Sequence, residues 1–147
     1  MIRIEPFSDG NVPDLLRWFA NPANRRFQIT KLIDKEKARK LITSTPTKKV
    51  YCIKLDRQPI GYCMLKRLDS LPEVGINIDQ PHWGKGYGKE ALKLLEQEAK
   101  QLGIAKLYLR VFRDNLRAIR LYENAGYIDS AELQDSDGRM RCMEKIL

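Results

Sequence analysis

Apolar residues along this chain change their period several times, and each change marks an element. Residues 3–6 alternate as a short first strand. Val12, Leu15, Leu16 and Phe19, with Trp18 beside them, then recur at helical spacing. Asn11 stands in front as a cap and Asn21-Pro22 ends the run. Asp34 is placed to cap a second helix through Leu41-Ile42 that stops before Thr45-Pro46. Residues 50–55 and 60–68 read as a hairpin around Asp56-Arg57-Gln58-Pro59, and residues 73–79 as a further strand. From about 85 to 102 the pattern is a long amphipathic helix. It sends Tyr87, Ala91, Leu94, Leu95, Ala99 and Leu102 to one face and Lys89, Lys93, Glu96 and Lys100 mostly outward, and Gly103 stops it. A strand over 105–111, a helix over 116–125, a strand over 127–133 and a last strand over 139–146 complete the chain, with Asp137-Gly138 as the final turn. No linker, repeat or low-complexity tract interrupts the series. The expectation is a single α/β domain over 1–147: a strand and helices in 1–48, a sheet with a glycine loop and its helix in 50–111, and a helix with strands in 112–147.

Composition narrows the class. A chain of 147 residues, 43% hydrophobic and 31% charged, is large enough for one proper core and reads as a soluble globular protein. No apolar run approaches the roughly 18 residues of a membrane span, and no signal-peptide pattern opens the chain. Cys52, Cys63 and Cys142 are odd in number and widely spaced, which predicts neither a disulfide framework nor a metal cluster and points to a cytoplasmic location. His82 is the single histidine, so a histidine-based zinc site is not expected. The net charge of +8 raises nucleic-acid binding, yet the cations are scattered, as in Lys35-Glu36-Lys37, and no recognition motif accompanies them. A polyanionic cofactor benefits from the same positive field.

The chemistry is concentrated between strand 73–79 and the long helix. There Trp83-Gly84-Lys85-Gly86-Tyr87-Gly88-Lys89 places three glycines at alternate positions. Glycine tolerates positive φ and lets backbone approach an anion closely, and the N-terminus of the following helix offers unpaired N–H groups and a favourable dipole. A phosphate or pyrophosphate is the anion this turn suits. Neither familiar nucleotide loop fits, because no G-x-x-x-x-G-K-[ST] string occurs and the dinucleotide spacing lacks its last glycine.

The loop instead resembles the acyl-CoA loop of the GNAT superfamily of N-acetyltransferases, R/Q-x-x-G-x-G/A after a strand, with Trp83 in the Arg/Gln position. The W-G-K-G-Y form is similar to the branch that includes ribosomal-protein N-terminal acetyltransferases. A second block, Asn115-x-x-Ala118-x-x-Leu121-Tyr122-Glu123-x-x-Gly126-Tyr127, resembles that family's N-x-x-A-x-x-x-Y-x-x-x-G-F signature. The resemblance implies a mixed, mostly antiparallel central sheet flanked by helices, with two central strands splayed apart to admit acetyl-CoA as cosubstrate and no metal. It implies that Ile76, Asn77 and Ile78 hold the pantetheine arm and that Trp83, Gly84, Lys85, Gly86, Tyr87, Gly88 and Lys89 hold the pyrophosphate. Asn115 would contact the cofactor arm or cap the helix from Leu116, or do both.

The implied reaction is direct transfer of acetyl to a primary amine, on a protein N-terminus, a lysine or a small molecule. Tyr122 is the expected general acid, since a phenol keeps its proton at neutral pH and can return one to the thiolate; packing against the sheet is its other use. Glu73 is the candidate base, or an ordinary strand-end carboxylate, with Asp69 in reserve. Trp18, Phe19 and Phe27 line an acceptor pocket or belong to the core, and Arg25-Arg26 meet an acidic substrate or only solvent. His82, in a proline-containing turn, is expected at the surface. A ribosomal or other protein substrate and a homodimer are open options. Two other classes compete with the enzyme: a noncatalytic acyl-CoA-binding module and a basic RNA- or ribosome-associated protein.

Overall fold

The computed structural model describes residues 1–26, 28 and 34–147. Its seven-stranded sheet runs in the order β1-β2-β3-β4-β5-β7-β6. The strands are β1 (Ile2–Pro6), β2 (Lys49–Leu55), β3 (Gln58–Lys66), β4 (Glu73–Ile78), β5 (Lys106–Phe112), β6 (Ile128–Asp129) and β7 (Met140–Ile146). All neighbouring pairs are antiparallel except β4 with β5, which are parallel and matched at Glu73 and Tyr108 alone. The sheet is therefore mixed, mostly antiparallel and split at its centre.

Helices α1 (Val12–Ala20), α2 (Pro22–Arg25) and α3 (Lys35–Ile42) precede β2 in the chain. Helices α4 (Tyr87–Gln101) and α5 (Leu116–Asn124) flank β5 in sequence. Alternation along the strands sends their side chains to two cores. Leu65, Val74, Leu107, Leu109 and Val111 pack with Ala91, Leu92, Leu95 and Ala99 of α4 and with Ile119 and Tyr122 of α5. Val50, Tyr62 and Met64 pack instead with Val12, Leu15, Trp18 and Phe19 of α1 and with Ala38 and Ile42 of α3. Each large side chain buried in this way contributes about 1.5–3 kcal/mol.

Several expectations shift in detail. The β2–β3 hairpin turns on Asp56 and Arg57 alone, with Asp56 at φ 55, so Gln58 and Pro59 belong to β3 and Leu68 lies beyond it. Asn11 does precede α1, but its side chain donates to Asp14 and caps no backbone N–H. Asp34 caps α3 as expected, accepting from the Lys37 N–H at 2.9 Å. Helix α4 starts at Tyr87, leaving Lys85 and Gly86 in the loop, and Leu102 is 48% exposed. Glu96, read as outward, is buried: it accepts from the Tyr127 hydroxyl at 2.9 Å and pairs with Lys145 at 3.0 Å. The strand expected over 127–133 shrinks to Ile128–Asp129 because Ser130 turns the chain, its hydroxyl accepting from the N–H groups of Glu132 and Leu133.

Candidate active site

The glycine loop forms where β4 ends. Asp79 leads into a single 3-10 turn over Gln80–His82, and Gly84 and Gly86 then take φ +75 and +82 before α4 begins. Gly86 is the residue before the helix, and no side chain caps it. Among the described residues no group accepts a hydrogen bond from the backbone N–H groups of residues 84–89. These amides, together with the positive end of a 15-residue helix, make a cradle for an anion. Gly88 packs closely: a Cβ there would come into van der Waals contact with Leu121 at 3.4 Å and Ile78 at 3.7 Å.

Trp83 folds back on the strand, its Nε1 donating to the Ile78 carbonyl at 2.6 Å. The Arg117 guanidinium lies 3.7 Å from the centre of the Trp83 ring. The indole in the Arg/Gln position thus carries a cation delivered from α5. Sequence reading missed Arg117, since nothing in the chain's local pattern pairs it with Trp83.

The split in the sheet opens beside the loop. Beyond Glu73 the backbone edge of β4 that faces β5 makes no ladder contact, and a cavity of about 420 Å³ occupies the gap. Ile76, Asn77 and Ile78 line it from β4, Val111 and Phe112 from β5, and Trp83, Gly84, Gly86, Tyr87, Gly88 and Lys89 from the loop and α4. Tyr122 closes it from α5, and Asn115 from the position just before that helix. Of the residues expected to hold the cofactor, Lys85 alone is outside the lining, exposed to solvent. Asn115 also caps α5, its side-chain oxygen accepting from the Ala118 N–H at 3.3 Å.

Tyr122 is buried and meets Tyr127 edge-on, ring centres 5.8 Å apart. Burial pushes its phenol up to about 12, with the Arg117 charge pulling weakly the other way. Tyr122 therefore holds its proton at neutral pH. Glu73 is 1% exposed and does not line the cavity. Arg67 Nε lies 3.0 Å from one of its oxygens and Arg110 Nε 3.9 Å from the other. The first contact makes no hydrogen bond despite its length and the second is too long for one, so Glu73 Oε2 and Arg110 Nε are both buried without a hydrogen bond. Glu73 thus occupies a buried ion cluster rather than the exposed strand end it was weighed against. Asp69 is exposed in the β3–β4 connection and does not reach the cavity.

His82 is half-buried and lines the cavity, 6.5 Å from the Tyr87 ring, so its expected surface position is corrected. Trp18 and Phe19 are core residues at 4% and 2% exposure and take no part in the lining. Phe27 lies outside the described residues. Arg25 and Arg26 end α2 and do not line the cavity. The wall facing α1 and α3 comes instead from Leu41, Tyr62, Met64, Lys66, Arg110 and Met140, which the sequence did not single out. Asn24 secures that side: its amide donates to Trp18 O and Asp79 Oδ1, and its oxygen accepts from the Gln80 N–H.

Comparison with known proteins identifies relatives of the chain. The chain is 35% identical over 89 residues to the uncharacterized N-acetyltransferase YycN of Bacillus subtilis, a match covering 56% of this chain and 57% of that protein. It is 44% identical over 57 residues to a spermine/spermidine N(1)-acetyltransferase of Bacillus subtilis, covering 38% of each. The matches thus span about half or less of these relatives' own length. In three dimensions the chain superposes on RimL, a ribosomal L7/L12 alpha-N-protein acetyltransferase solved with coenzyme A. That superposition has a TM-score of 0.84, at 16% identity, over 99% of this chain and 94% of that one. The model of the Acetyltransferase (GNAT) family matches residues 12–127. With that match over most of its length, and a split sheet beside an amide-lined loop, this chain belongs to the GNAT acetyltransferase family.

Proposed function

We propose that this chain transfers an acetyl group from acetyl-CoA to a primary amine by direct attack in the cavity between β4 and β5. One observation carries the reading: the glycine loop with its unpaired amides, the open edge of β4 and the protonated Tyr122 all line one cavity, Lys85 alone of the loop lying outside it. When bound, acetyl-CoA supplies an activated thioester carbonyl, whose C–S bond breaks as the C–N bond to the amine forms. The loop amides and the α4 N-terminus hold its pyrophosphate. The edge formed by Ile76, Asn77 and Ile78 takes the extended pantetheine arm as a further strand would be taken. Asn115 spends its oxygen on the α5 cap and keeps its amide donors for that arm.

The chain's own residues then handle two protons. Tyr122 gives its proton to the departing thiolate. The amine must arrive neutral; Glu73, held by Arg67 and Arg110 beside the wall, acts by fixing the acceptor side, while water accepts the amine proton. Alignment of the two reactants supplies much of the remaining acceleration. The spermine/spermidine and ribosomal-protein acetyltransferases among its likenesses agree on an amine acceptor and differ on its size. Among the described residues no helix is long and apolar enough to cross a membrane. The buried free thiols of Cys52 and Cys63 suit a reducing cytoplasm.

The test starts from the native fold, because a ligand bound to it must raise the melting temperature. A saturable rise with acetyl-CoA, followed by amine-dependent release of thiol, is the expected result. A rise without thiol release over a broad amine panel would leave a binding module; no rise, checked by calorimetry, would remove the cofactor assignment.

A further inference from the structure

We propose that the amine acceptor carries an anionic group, a carboxylate or phosphate, close to its nitrogen, and that Lys66 and Arg110 receive it; this rests on the acetyltransferase reading above. Strand register places the recognising groups together. Lys66 is paired with Glu73, Met64 with Gly75, and Tyr62 with Asn77, while Glu73 is matched to Tyr108, two residues before Arg110. Residues of equal parity share a sheet face, so Lys66 and Arg110 share the face of Tyr62 and Met64, which is the α1/α3 side. Both line the cavity.

Among the described residues, no aspartate or glutamate lines that cavity. Residues 27 and 29–33, outside the description, are Phe, Ile, Thr, Lys, Leu and Ile and contain no acid either. The carboxylates nearest this wall are already engaged. Glu73, on the same face and opposite Lys66, stands between Arg67 and Arg110 without lining the cavity, and Asp135 accepts from the Met140 N–H. Counting Lys66, Arg67 and Arg110 against Glu73 leaves an excess of positive charge on the acceptor wall. Arg110 Nε is buried without a hydrogen bond, and burial lowers the Lys66 ammonium from its ordinary value, the Glu73 charge only partly opposing this. A cationic substituent brought here would add like-charge repulsion, with only the Glu73 carboxylate, already shared with Arg67 and Arg110, to offset its desolvation.

The pyrophosphate does not account for these cations. Lys66 stands opposite the first residue of β4 and the loop follows its last, a separation of roughly 16 Å along a strand. Similarity to a spermine/spermidine acetyltransferase therefore does not carry the substrate across.

The experiment compares chains that differ only at the far end. γ-Aminobutyrate, butylamine and putrescine, with shorter and longer homologues and the matching aminoalkyl phosphates, are offered with acetyl-CoA while thiol release is followed. The anionic member should show kcat/KM at least about tenfold above the neutral and cationic members of its length. The better of carboxylate and phosphate then identifies the group. A second readout needs no turnover: with CoA saturating, the N-acetyl form of the anionic amine should raise the melting temperature and that of putrescine should not. Lys66→Glu should invert both orders, while Lys66→Gln should level them and keep the melting rise given by acetyl-CoA. Putrescine or spermidine as the best acceptor, or equal melting rises for anionic and cationic products, would overturn the proposal. A chain that ignored acetyl-CoA yet still gained stability from the anionic amides would keep the anion site and lose the transferase reading.

Discussion

At the α4 end of the cavity recognition is made of backbone: amides of residues 84–89 held by two positive-φ glycines at a helix start. At the opposite end it is made of side chains, Lys66 and Arg110 on the cavity wall with Glu73 and Arg67 beside them. A backbone site depends on conformation, so few substitutions reach it and those that do act through φ. A side-chain site depends on which residues the sheet register brings together, so it can change its ligand without changing the fold. That difference lets one architecture keep its cosubstrate while acceptors diverge.

The largest effect should fall on the side-chain end. Removing the charge of Glu73 strands two guanidinium groups beside a buried position, and breaking one partner of such a cluster costs about 3 kcal/mol. Urea unfolding of Glu73→Gln should show that loss, with acetyl-CoA affinity little changed in the folded fraction. Full stability combined with lost turnover would instead make Glu73 the base and blur the contrast.

Tyr122 stands between the two ends. Tyr122→Phe keeps the edge contact with Tyr127 and should lower kcat by about 10²-fold with acetyl-CoA affinity retained. The pH profile sharpens this. Because burial raises the phenol to about 12, the proton stays in place as pH climbs through the ordinary phenol value. Turnover that depends on it should hold up to roughly pH 11. A fall centred near the free-phenol value, absent in the Phe variant, would show that Tyr122 is solvated during the reaction.

At the loop, a side chain on Gly86 would meet no atom within 4 Å, so the expected damage is purely conformational. Holding valine at φ +82 costs about 1–3 kcal/mol, and Gly86→Val should weaken acetyl-CoA binding by roughly 30-fold in calorimetry. Gly86→Asn, which tolerates the left-handed region, should lose far less. Equal losses would mean that space, not φ, governs the cradle.

The same contrast explains what could be read from the chain. The loop was legible because positive φ demands glycine locally, and Gly84 and Gly86 carry that demand in their spacing. The Asn115 cap was legible because capping is local, whereas Tyr122 was singled out by the resemblance of 115–127 to the family signature; both line the cavity. Lys66 and Arg110 are 44 positions apart in the numbering, and only the register of β3, β4 and β5 joins them. Glu96 was misread for a related reason: a helical period shows which side it faces, but not that Tyr127 and Lys145 come over that side from elsewhere. The short β6 failed because the Ser130 hydroxyl offers the backbone a turn where the apolar pattern suggested a ladder.

The smallest effect tests whether the loop is wholly a backbone device. Arg117 is exposed and stacks on Trp83, and a cation over an indole at such a site contributes about 0.5–1 kcal/mol. Arg117→Ala should therefore weaken acetyl-CoA binding only about threefold. Arg117→Gln separates the parts of that effect, since it retains a planar group over the ring without the charge. If charge near the phosphates matters, Gln should behave as Ala at low salt, and all three proteins should converge at high salt as screening grows. If stacking matters, Gln should follow Arg at every salt concentration. An unchanged affinity in the Ala variant would leave Trp83 positioned by its hydrogen bond to the Ile78 carbonyl alone, and the anion held without help from Arg117.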